Sequence, residues 1–306
     1  MRIAIIGQAA FGKDVLAALA ENSENVVGVF CPPDREGRPA DPIKQEAVER
    51  GIPVFQFRRM RRKRAIDAFL ELNADLCVMA FVTDIVPDEI LEAPTHGTIQ
   101  YHPSLLPRHR GPSSMNWPII WGETKTGLTV FWPDKGLDTG PVLLQKEVEI
   151  TPDDTLGSLY FGKLYQMGVD AMVESVAMVR GGTAPKIPQD HSQATYEGWC
   201  NPADVVIDWE KNVDEIYNMV RGGDPSPGAN TTLNGSAIAF FRAARIEGDT
   251  GKAAGEVIDV DEDGFTVAAS GGVIRVGRVQ AAGQRKVMAP EWTEQIGLNP
   301  GDRFGT

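Results

Sequence analysis

Short apolar runs alternate with stretches of helical periodicity through the first half of the chain, and this alternation limits the fold more than any other feature. The runs predict strands over 2–6, 26–31, 75–81, 98–102 and 127–132, and the stretches between them predict helices over 13–21, 41–50 and 61–72. Buried runs separated by helices indicate a mostly parallel sheet that is covered on both faces. We therefore expect an α/β, Rossmann-like domain, with the more polar run at 143–150 as an antiparallel edge strand.

The sequence changes in character from Asn230 onward. Short β-type runs over 237–241, 255–260, 265–268 and 273–279 are separated by turn dipeptides at Asp263-Gly264 and Gly271-Gly272. This pattern predicts a small C-terminal β-barrel domain, OB-like, and the length of 306 residues agrees with two domains.

The segment between the two halves contains one long helical pattern and one polar stretch. Residues 156–180 predict the longest helix of the chain, with capping residues at 153–155, and residues 182–192 are polar and contain two prolines. We therefore expect a catalytic domain over 1–182, a linker over 183–204 and the β-barrel domain over 205–306.

Charge and cysteine content exclude several classes of protein. The formal net charge of -12 disfavours a general nucleic-acid binder, because neutralising phosphates needs clustered lysine and arginine. Cys31, Cys77 and Cys200 form no CxxC, which argues against a disulfide framework or a thiolate zinc site and fits a reducing compartment. The apolar start of the chain reads as a strand rather than a signal peptide, and no run is long enough to cross a membrane. The expected location is cytoplasmic.

The turn after the first predicted strand only partly matches a dinucleotide-binding loop. It contains Gly7 and Gly12 but no G-x-G-x-x-G. An NAD-dependent Rossmann enzyme is therefore a weak alternative, and a tight strand–helix turn with Phe11 packed beneath it is the favoured interpretation.

His102 stands at the end of a predicted strand, before a proline-rich loop. Sites in open α/β sheets form outside the carboxyl ends of strands, and a histidine there can change its charge near neutral pH. The alternative is a core histidine bonded to a neighbouring carbonyl group. The turn Arg108–Arg110 is interpreted as solvated, with contact to an anionic substrate tail as the other possibility.

Asp138 lies in the glycine-flanked segment DKGLDTG at 134–140, which follows another predicted strand. A turn aspartate often only bonds its own backbone. A buried carboxylate beside a histidine, however, forms an acid–base or histidine-orienting pair. Only the fold can bring His102 and Asp138 together, since they are 36 positions apart.

Taken together, YHPSLLPRHRG at 101–111 and GLDTG at 136–140 resemble the motifs of the 10-formyltetrahydrofolate-dependent formyltransferases. Further similar stretches are IAIIGQAAFG near the start, ATYEG at 194–198 and VIDWEKNVDEIYNMVRGGDPSPGA at 206–229, so the resemblance covers nearly the whole chain. Within the family, the chain is most similar to the amino-terminal hydrolase domain of 10-formyltetrahydrofolate dehydrogenase, and next to methionyl-tRNA formyltransferase.

The resemblance implies a catalytic histidine at His102 and a catalytic aspartate at Asp138. Gln100 stands where the transferases have asparagine, and it is the candidate second donor to an oxyanion. The implied folate-binding residues are Met79, Phe81, Thr83, Asp84, Ile85 and Val86, together with Ser104, Leu105, Leu106 and Pro107.

The function implied by the resemblance is one-carbon chemistry on 10-formyltetrahydrofolate, as formyl transfer to an amine or as hydrolysis to formate. No metal and no NAD are expected, and the partners are folate with a small-molecule amine or water. Alternatives are a methionyl-tRNA formyltransferase and a folate-binding module without catalysis.

Two segments bear on whether tRNA is the acceptor. The basic run 58–64 is interpreted as a solvated helix start rather than a tRNA footprint, and segment 32–42 has few basic residues. Transfer RNA is therefore not the expected acceptor. The sequence leaves the acceptor and the oligomeric state open.

Overall fold

The computed structural model describes residues 1–248 and 250–306, which form two compact units. The first unit comprises Met1–Arg110, Gly127–Glu147 and Lys163–Tyr196. The second comprises Gly111–Thr126, Val148–Gly162 and the described part of Glu197–Thr306. Each unit has its own buried apolar cluster around its own sheet. The predicted boundaries at residues 182 and 204 stay predictions.

A seven-stranded sheet forms the centre of the first unit. Its strands are β1 (Arg2–Gly7), β2 (Asn25–Cys31), β3 (Val54–Gln56), β4 (Leu76–Ala80), β5 (Thr98–His102), β6 (Lys125–Phe131) and β7 (Val142–Glu149). The strand order is β3-β2-β1-β4-β5-β6-β7. The first five strands pair in parallel and β6 pairs antiparallel to β5, so the predicted mostly parallel, Rossmann-like sheet is confirmed. The more polar β7 lies at an edge, as predicted.

Apolar side chains cover both faces of this sheet because β1 and β4 are buried on both sides. Ile3 and Ile5 pack with α1 (Ala9–Glu21), α2 (Pro42–Glu49) and α7 (Tyr165–Arg180), whereas Ala4 and Ile6 pack with α3 (Lys63–Glu71) and α4 (Asp88–Leu91). The Asp41 side chain caps the start of α2, because its Oδ1 accepts from the Ile43 amide at 3.1 Å. The same oxygen accepts from the Ala9 amide at 2.8 Å, which joins the starts of α1 and α2.

The turn between β1 and α1 is tight and closely packed. A Cβ on Gly7 would lie 2.7 Å from the Ala80 carbonyl oxygen, so only glycine fits there. Phe11 is buried, and its ring lies 4.5 Å from that of Tyr101 between ring centroids. The favoured interpretation of this turn, a strand–helix connection with Phe11 beneath it, is confirmed.

The predicted long helix over 156–180 is interrupted. Thr155 begins α6 (Leu156–Leu159) with a reciprocal capping box to Ser158, but a π-helical turn over Tyr160–Leu164 separates α6 from α7. Two aromatic residues and Gly162 lower the helix propensity at this point, and π-helix occurs mostly as single turns within α-helices.

An antiparallel sheet forms the centre of the second unit. Its strands are β8 (Ala229–Leu233), β9 (Ser236–Glu247), β10 (Val257–Asp261), β11 (Gly264–Ala269), β12 (Gly272–Ala281) and β13 (Val287–Met288). The helices of this unit, besides α6, are α5 (Asn116–Ile120), α8 (Val213–Gly222) and α9 (Ala289–Ile296). The two predicted hairpin turns join β10 to β11 and β11 to β12. The C-terminal β domain is therefore confirmed, with β8 and α9 as elements that the sequence pattern did not reveal.

The OB-like character of this sheet depends on the last residues of the chain. The strand order runs from β10 through β11, β12 and β9 to β8, and within the described residues β10 does not pair with β8. Isolated bridges instead link Phe304 to Leu233 at the end of β8, and Arg303 to Glu256 just before β10. The predicted barrel is thus an open sheet whose two edges are joined by the C-terminal segment.

Candidate active site

His102 is the last residue of β5, and its imidazole is buried in the first unit. Its Nε2 lies 2.8 Å from the carbonyl oxygen of His109. A carbonyl oxygen only accepts hydrogen bonds, so Nε2 carries a proton and donates. Nδ1 is therefore the ring nitrogen that is left for a second partner. The alternative interpretation, a histidine bonded to a neighbouring carbonyl, accounts for Nε2 but not for Nδ1.

Asp138 lies on the other side of the ring. Its Oδ2 is 3.7 Å from Nδ1 of His102, and both side chains are 7% exposed. The structure therefore brings together the two motif residues that the sequence singled out. The distance is that of an ion pair rather than of a direct hydrogen bond. Distances of this kind between catalytic groups often shorten only when the substrate is bound.

The loop that presents Asp138 is held by its own side chains. Asp134 Oδ1 accepts from the Gly136 amide at 3.0 Å and from the Thr139 hydroxyl. A Cβ on Gly140 would collide with the Trp132 carbonyl oxygen. Asp138 itself has φ of 54°, in the left-handed region that aspartate and asparagine tolerate better than most residues. The close packing of this loop thus holds Asp138 in a strained backbone conformation.

The loop after His102 is fixed to β6 and β7. Thr129 Oγ1 donates to the Ser104 carbonyl at 2.6 Å and accepts from the Leu106 amide at 3.1 Å. Gln145 Nε2 donates to the Leu106 carbonyl at 2.7 Å. Ser104 is fully buried, and its hydroxyl donates to the Arg108 carbonyl at 2.7 Å. Of the four predicted folate contacts in this loop, Ser104 and Leu106 are buried, and Leu105 and Pro107 are partly exposed.

The solvated interpretation of the basic turn is wrong for two of its three residues. Arg108 is exposed, but His109 and Arg110 are buried, with Arg110 only 1% exposed. The Arg110 guanidinium bonds the side chains of Gln189, Tyr196 and His191. Polar partners inside the first unit replace the water that the sequence pattern led us to expect around this charge.

Gln100 lies two residues before His102 on β5, and therefore on the same face of the sheet. It is half-buried, beside Met79 of β4 and Phe131 of β6 in register. Its side-chain amide makes no hydrogen bond to any residue in the described ranges 1–248 and 250–306. The amide thus retains its donor capacity near His102.

The predicted folate loop after β4 divides into buried and accessible residues. Met79 and Val86 belong to the apolar cluster beneath the sheet, so only their backbone can meet a ligand. Phe81 and Ile85 are exposed, and Phe81 has φ of 61°. The Thr83 hydroxyl accepts from Gln8 at 3.2 Å.

The Asp84 carboxylate links the loop after β4 to residues that precede α3. Its carboxylate accepts from Arg59 Nη1 at 2.9 Å and from the Met60 amide at 2.7 Å. Helix α3 begins at Lys63, so most of the basic run 58–64 precedes the helix. One of its arginines is paired with the predicted folate loop, and Met60 is buried beneath it.

A cleft of about 540 Å³ opens at the carboxyl ends of β1, β2, β3 and β4. Its walls include Gln8, Phe57, Arg58, Phe81 and Thr83. The volume is in the range of small-molecule sites, and the position agrees with the rule for open α/β sheets. His102 and Asp138 are not among its lining residues, so the cleft borders the predicted folate loop from the side away from the histidine–aspartate pair.

The three cysteine thiols have raised pKa values. Burial raises the pKa of the Cys31 and Cys77 thiols to about 12 and that of Cys200 to about 11. All three are therefore protonated near neutral pH and supply no thiolate.

Within the described ranges, no cluster of three or more His, Cys, Asp or Glu is placed to hold a metal ion. No helix in that part of the chain is long and apolar enough to cross a membrane.

Residues 185–196, which we call the strap, contact both loops of the site. The Pro185 carbonyl accepts from Trp132 Nε1 at 2.8 Å, and the Thr195 hydroxyl accepts from the His109 amide at 2.8 Å. Sequence reasoning placed these residues in a linker because they are polar and contain prolines. The similarity of ATYEG to the family was the one indication that the segment had a further role.

The fold and the site together define a class of protein: a Rossmann-like α/β enzyme domain with a histidine–aspartate pair at its strand ends. Comparison with known proteins identifies the family. Residues 1–176 match the family described as formyl transferase, and residues 200–297 match the formyl transferase C-terminal domain. The chain belongs to the formyl transferase family, whose enzymes use formyl-tetrahydrofolate, and the predicted resemblance is confirmed.

Individual relatives differ in length and in what their names say they do. Cytosolic 10-formyltetrahydrofolate dehydrogenase of Mus musculus is 44% identical over 248 residues, which cover 79% of this chain and 27% of that relative. The chain thus matches only a part of the dehydrogenase. Methionyl-tRNA formyltransferase of Geobacter metallireducens is 35% identical over 310 residues, covering 100% of this chain and 99% of that protein.

Solved structures agree on the fold. HypX from Aquifex aeolicus in complex with tetrahydrofolic acid has a TM-score of 0.71 at 18% identity, covering 96% of this chain and 47% of HypX. At this identity the similarity shows that the two chains share a fold.

Proposed function

We propose that this protein removes the formyl group of 10-formyltetrahydrofolate and passes it to a small-molecule amine or to water. The observation that carries the proposal is the buried pair of His102 and Asp138 at the strand ends of a formyl transferase domain. The 44% identity to a 10-formyltetrahydrofolate dehydrogenase supports the folate donor and favours hydrolysis or a small acceptor. A cytoplasmic location remains a prediction from cysteine usage.

The chemistry follows from the atoms of the pair. The nucleophile attacks the formyl carbon, and the carbonyl oxygen becomes an oxyanion. Asp138 accepts the proton that the nucleophile loses. Since Nε2 of His102 donates to the His109 carbonyl, the N–H that His102 offers to the substrate is the one on Nδ1, present when the ring is positively charged. That proton passes to the departing folate nitrogen, and the proton on Asp138 then restores the imidazolium.

Folate binding is proposed for the loop after β4 and the loop after β5. Backbone groups of Thr83–Val86 would bond the pterin edge, and the accessible side chains of Leu105 and Pro107 would flank the formyl group. The adjacent cleft, with a volume typical of small-molecule sites, supports a ligand-binding role for the loop after β4.

A deformylation assay tests this function directly. The purified protein is mixed with 10-formyltetrahydrofolate, alone and with a panel of small amines, and tetrahydrofolate, formate and formylated amine are measured. Release of tetrahydrofolate that depends on the protein supports the proposal, and the acceptor that increases it identifies the reaction. An absence of tetrahydrofolate release under every condition would overturn it.

Methionyl-tRNA formyltransferase is the second candidate, favoured by the relative that matches the full length of the chain at 35% identity. Against it stand the net charge of -12 and the low basic content of segment 32–42. We expect no tight binding of charged initiator tRNA at physiological salt, because phosphate contacts supply most of such affinity. Sub-micromolar binding that weakens steeply with salt, measured by filter binding or fluorescence anisotropy, would contradict this expectation and restore the basic run 58–64 as a tRNA contact.

Gln100 is expected to influence the choice between transfer and hydrolysis. Replacing it by leucine should lower the formyl-transfer rate by about 10²–10³-fold if its amide donates to the oxyanion. Gln100→Asn, with the shorter amide that the transferases carry, should raise the ratio of amine transfer to hydrolysis. The two products are measured in parallel with a true acceptor present. Changes below threefold in both variants would show that the Gln100 side chain points away from the reaction.

A further inference from the structure

Gln189 of the strap is buried between the two loops that hold the histidine–aspartate pair. Its Nε2 donates to the Asp138 carbonyl at 2.9 Å and to the Gly140 carbonyl at 2.6 Å. Its Oε1 accepts from Arg110 Nε at 3.2 Å and from Arg110 Nη2 at 2.7 Å. One amide group therefore bonds the Asp138 loop with its nitrogen and the end of the His102 loop with its oxygen.

Arg110 transmits this connection to His102. The Arg110 amide donates to the Thr195 carbonyl at 3.0 Å, and its guanidinium lies over the Tyr196 ring at 5.1 Å from the centroid. The preceding residue, His109, supplies the carbonyl that accepts from His102 Nε2. The path from Asp138 through Gln189 and Arg110 to His102 thus consists of hydrogen bonds and one step along the backbone.

The side-chain chemistry at position 189 is restrictive. The group must donate two hydrogen bonds to carbonyl oxygens and accept from a guanidinium at the same time. A primary amide provides both, whereas a carboxylate only accepts and an apolar chain does neither. Since Asp138 has a left-handed φ, it needs an external contact to stay in place, and Gln189 bonds its own carbonyl group.

We propose that Gln189 is a positioning residue that sets the distance between Asp138 and Nδ1 of His102. The expected effect of Gln189 on the reaction rate rests on the proposed deformylation. Its expected effect on the distance between Asp138 and His102 does not. Gln189 touches no reacting atom, so its effect passes through Asp138.

Two substitutions separate the bonds that Gln189 donates to the Asp138 loop from those that it accepts from Arg110. Gln189→Glu keeps an acceptor for Arg110, and so keeps the buried guanidinium paired, but it loses both donors to the Asp138 loop. Gln189→Met has a similar length and loses the bonds on both sides. Gln193→Glu is the matched control, because Gln193 is an exposed residue of the same strap and receives the same change in charge.

In steady-state assays of folded protein, Gln189→Glu is expected to lower kcat by about 10–100-fold with KM for the folate changed less than threefold, since small misplacements of catalytic groups cost rates of this size. Gln193→Glu should equal the wild type. A purely structural role would lower the melting temperature of Gln189→Glu and leave kcat per folded molecule unchanged, and that result would overturn the proposal.

A crystal structure of Gln189→Glu tests the geometry without an activity assay. We expect the distance between His102 Nδ1 and Asp138 Oδ2 to increase by more than about 1 Å, the size of displacement that affects rates. An unchanged distance would refute the positioning role. If the wild type releases no tetrahydrofolate under any condition, the proposed function fails, and this distance still decides the role of Gln189.

Discussion

Replacing His102 by alanine should lower the turnover of 10-formyltetrahydrofolate by about 10²–10⁴-fold, the range in which a positioned acid–base group contributes. Folate affinity should change little, because the proposed pterin contacts come from the backbone after β4, which the substitution does not touch. Turnover is measured as tetrahydrofolate release, and affinity is measured by calorimetric titration with tetrahydrofolate itself.

The His102→Ala variant is expected to fold. The carbonyl of His109 loses the donor Nε2, but the Ser104 hydroxyl lies 3.3 Å away and can rotate its proton from the Arg108 carbonyl toward that of His109. His96→Ala is the matched control, since His96 is exposed and precedes the same strand. If affinity and turnover fall together in His102→Ala, the imidazole positions the ligand or supports the structure, and the proton-transfer role assigned to it is wrong.

The fold of the first unit was accessible from the sequence because its determinants are local. Strands β1 and β4 are short apolar runs beside predicted helices, β5 is a short run that ends at His102, and Asp41 with Pro42 stands at the start of α2. The position of His102 at a strand end was equally local. Its meeting with Asp138 was implied by the family resemblance and not by the rule for strand ends, because β6, which precedes Asp138, runs antiparallel to β5.

What the sequence did not reveal depends on contacts between distant segments. Arg110 reads as a solvated charge, and only the fold shows that Gln189, 79 residues away, bonds it inside the protein. The strap reads as a linker for the same reason, since no local pattern shows that Gln189 and Thr195 bond the loops of the site. Likewise, no local pattern shows that Phe304 bridges to β8 and so joins the edges of the second sheet.

Helix boundaries were the other source of difference. The apolar periodicity over 156–180 continues through Tyr160–Leu164, yet the backbone there forms a π turn. Periodicity reports which side chains face the core, whereas the hydrogen-bonding pattern also depends on residues such as Gly162 that weaken the helix.

Replacing Asp138 by asparagine should lower turnover by about 10²–10⁴-fold, because the proton acceptor for the nucleophile is lost. Asparagine is the most informative substitution here. It has the same shape, it tolerates the left-handed φ of 54°, and its backbone carbonyl can still accept from Gln189. The loop is therefore expected to keep its conformation, and the change isolates the carboxylate. Asp67→Asn, at a half-exposed aspartate paired with Lys63 on α3, is the matched control and should retain full turnover.

The double variant His102→Ala with Asp138→Asn distinguishes a pair that acts as a unit from two independent groups. Since the mechanism routes a single proton from the nucleophile through Asp138 and back to His102, either single change already interrupts the transfer. We therefore expect the double variant to be no more than about threefold slower than the slower single variant, as is found for residues that act together. Loss in the double variant equal to the product of the two single losses would show that His102 and Asp138 contribute independently, and the proton path between Nδ1 and Oδ2 would be wrong. Turnover of Asp138→Asn within threefold of the wild type would instead remove the carboxylate from the mechanism and leave His102 as the group that moves protons at this site.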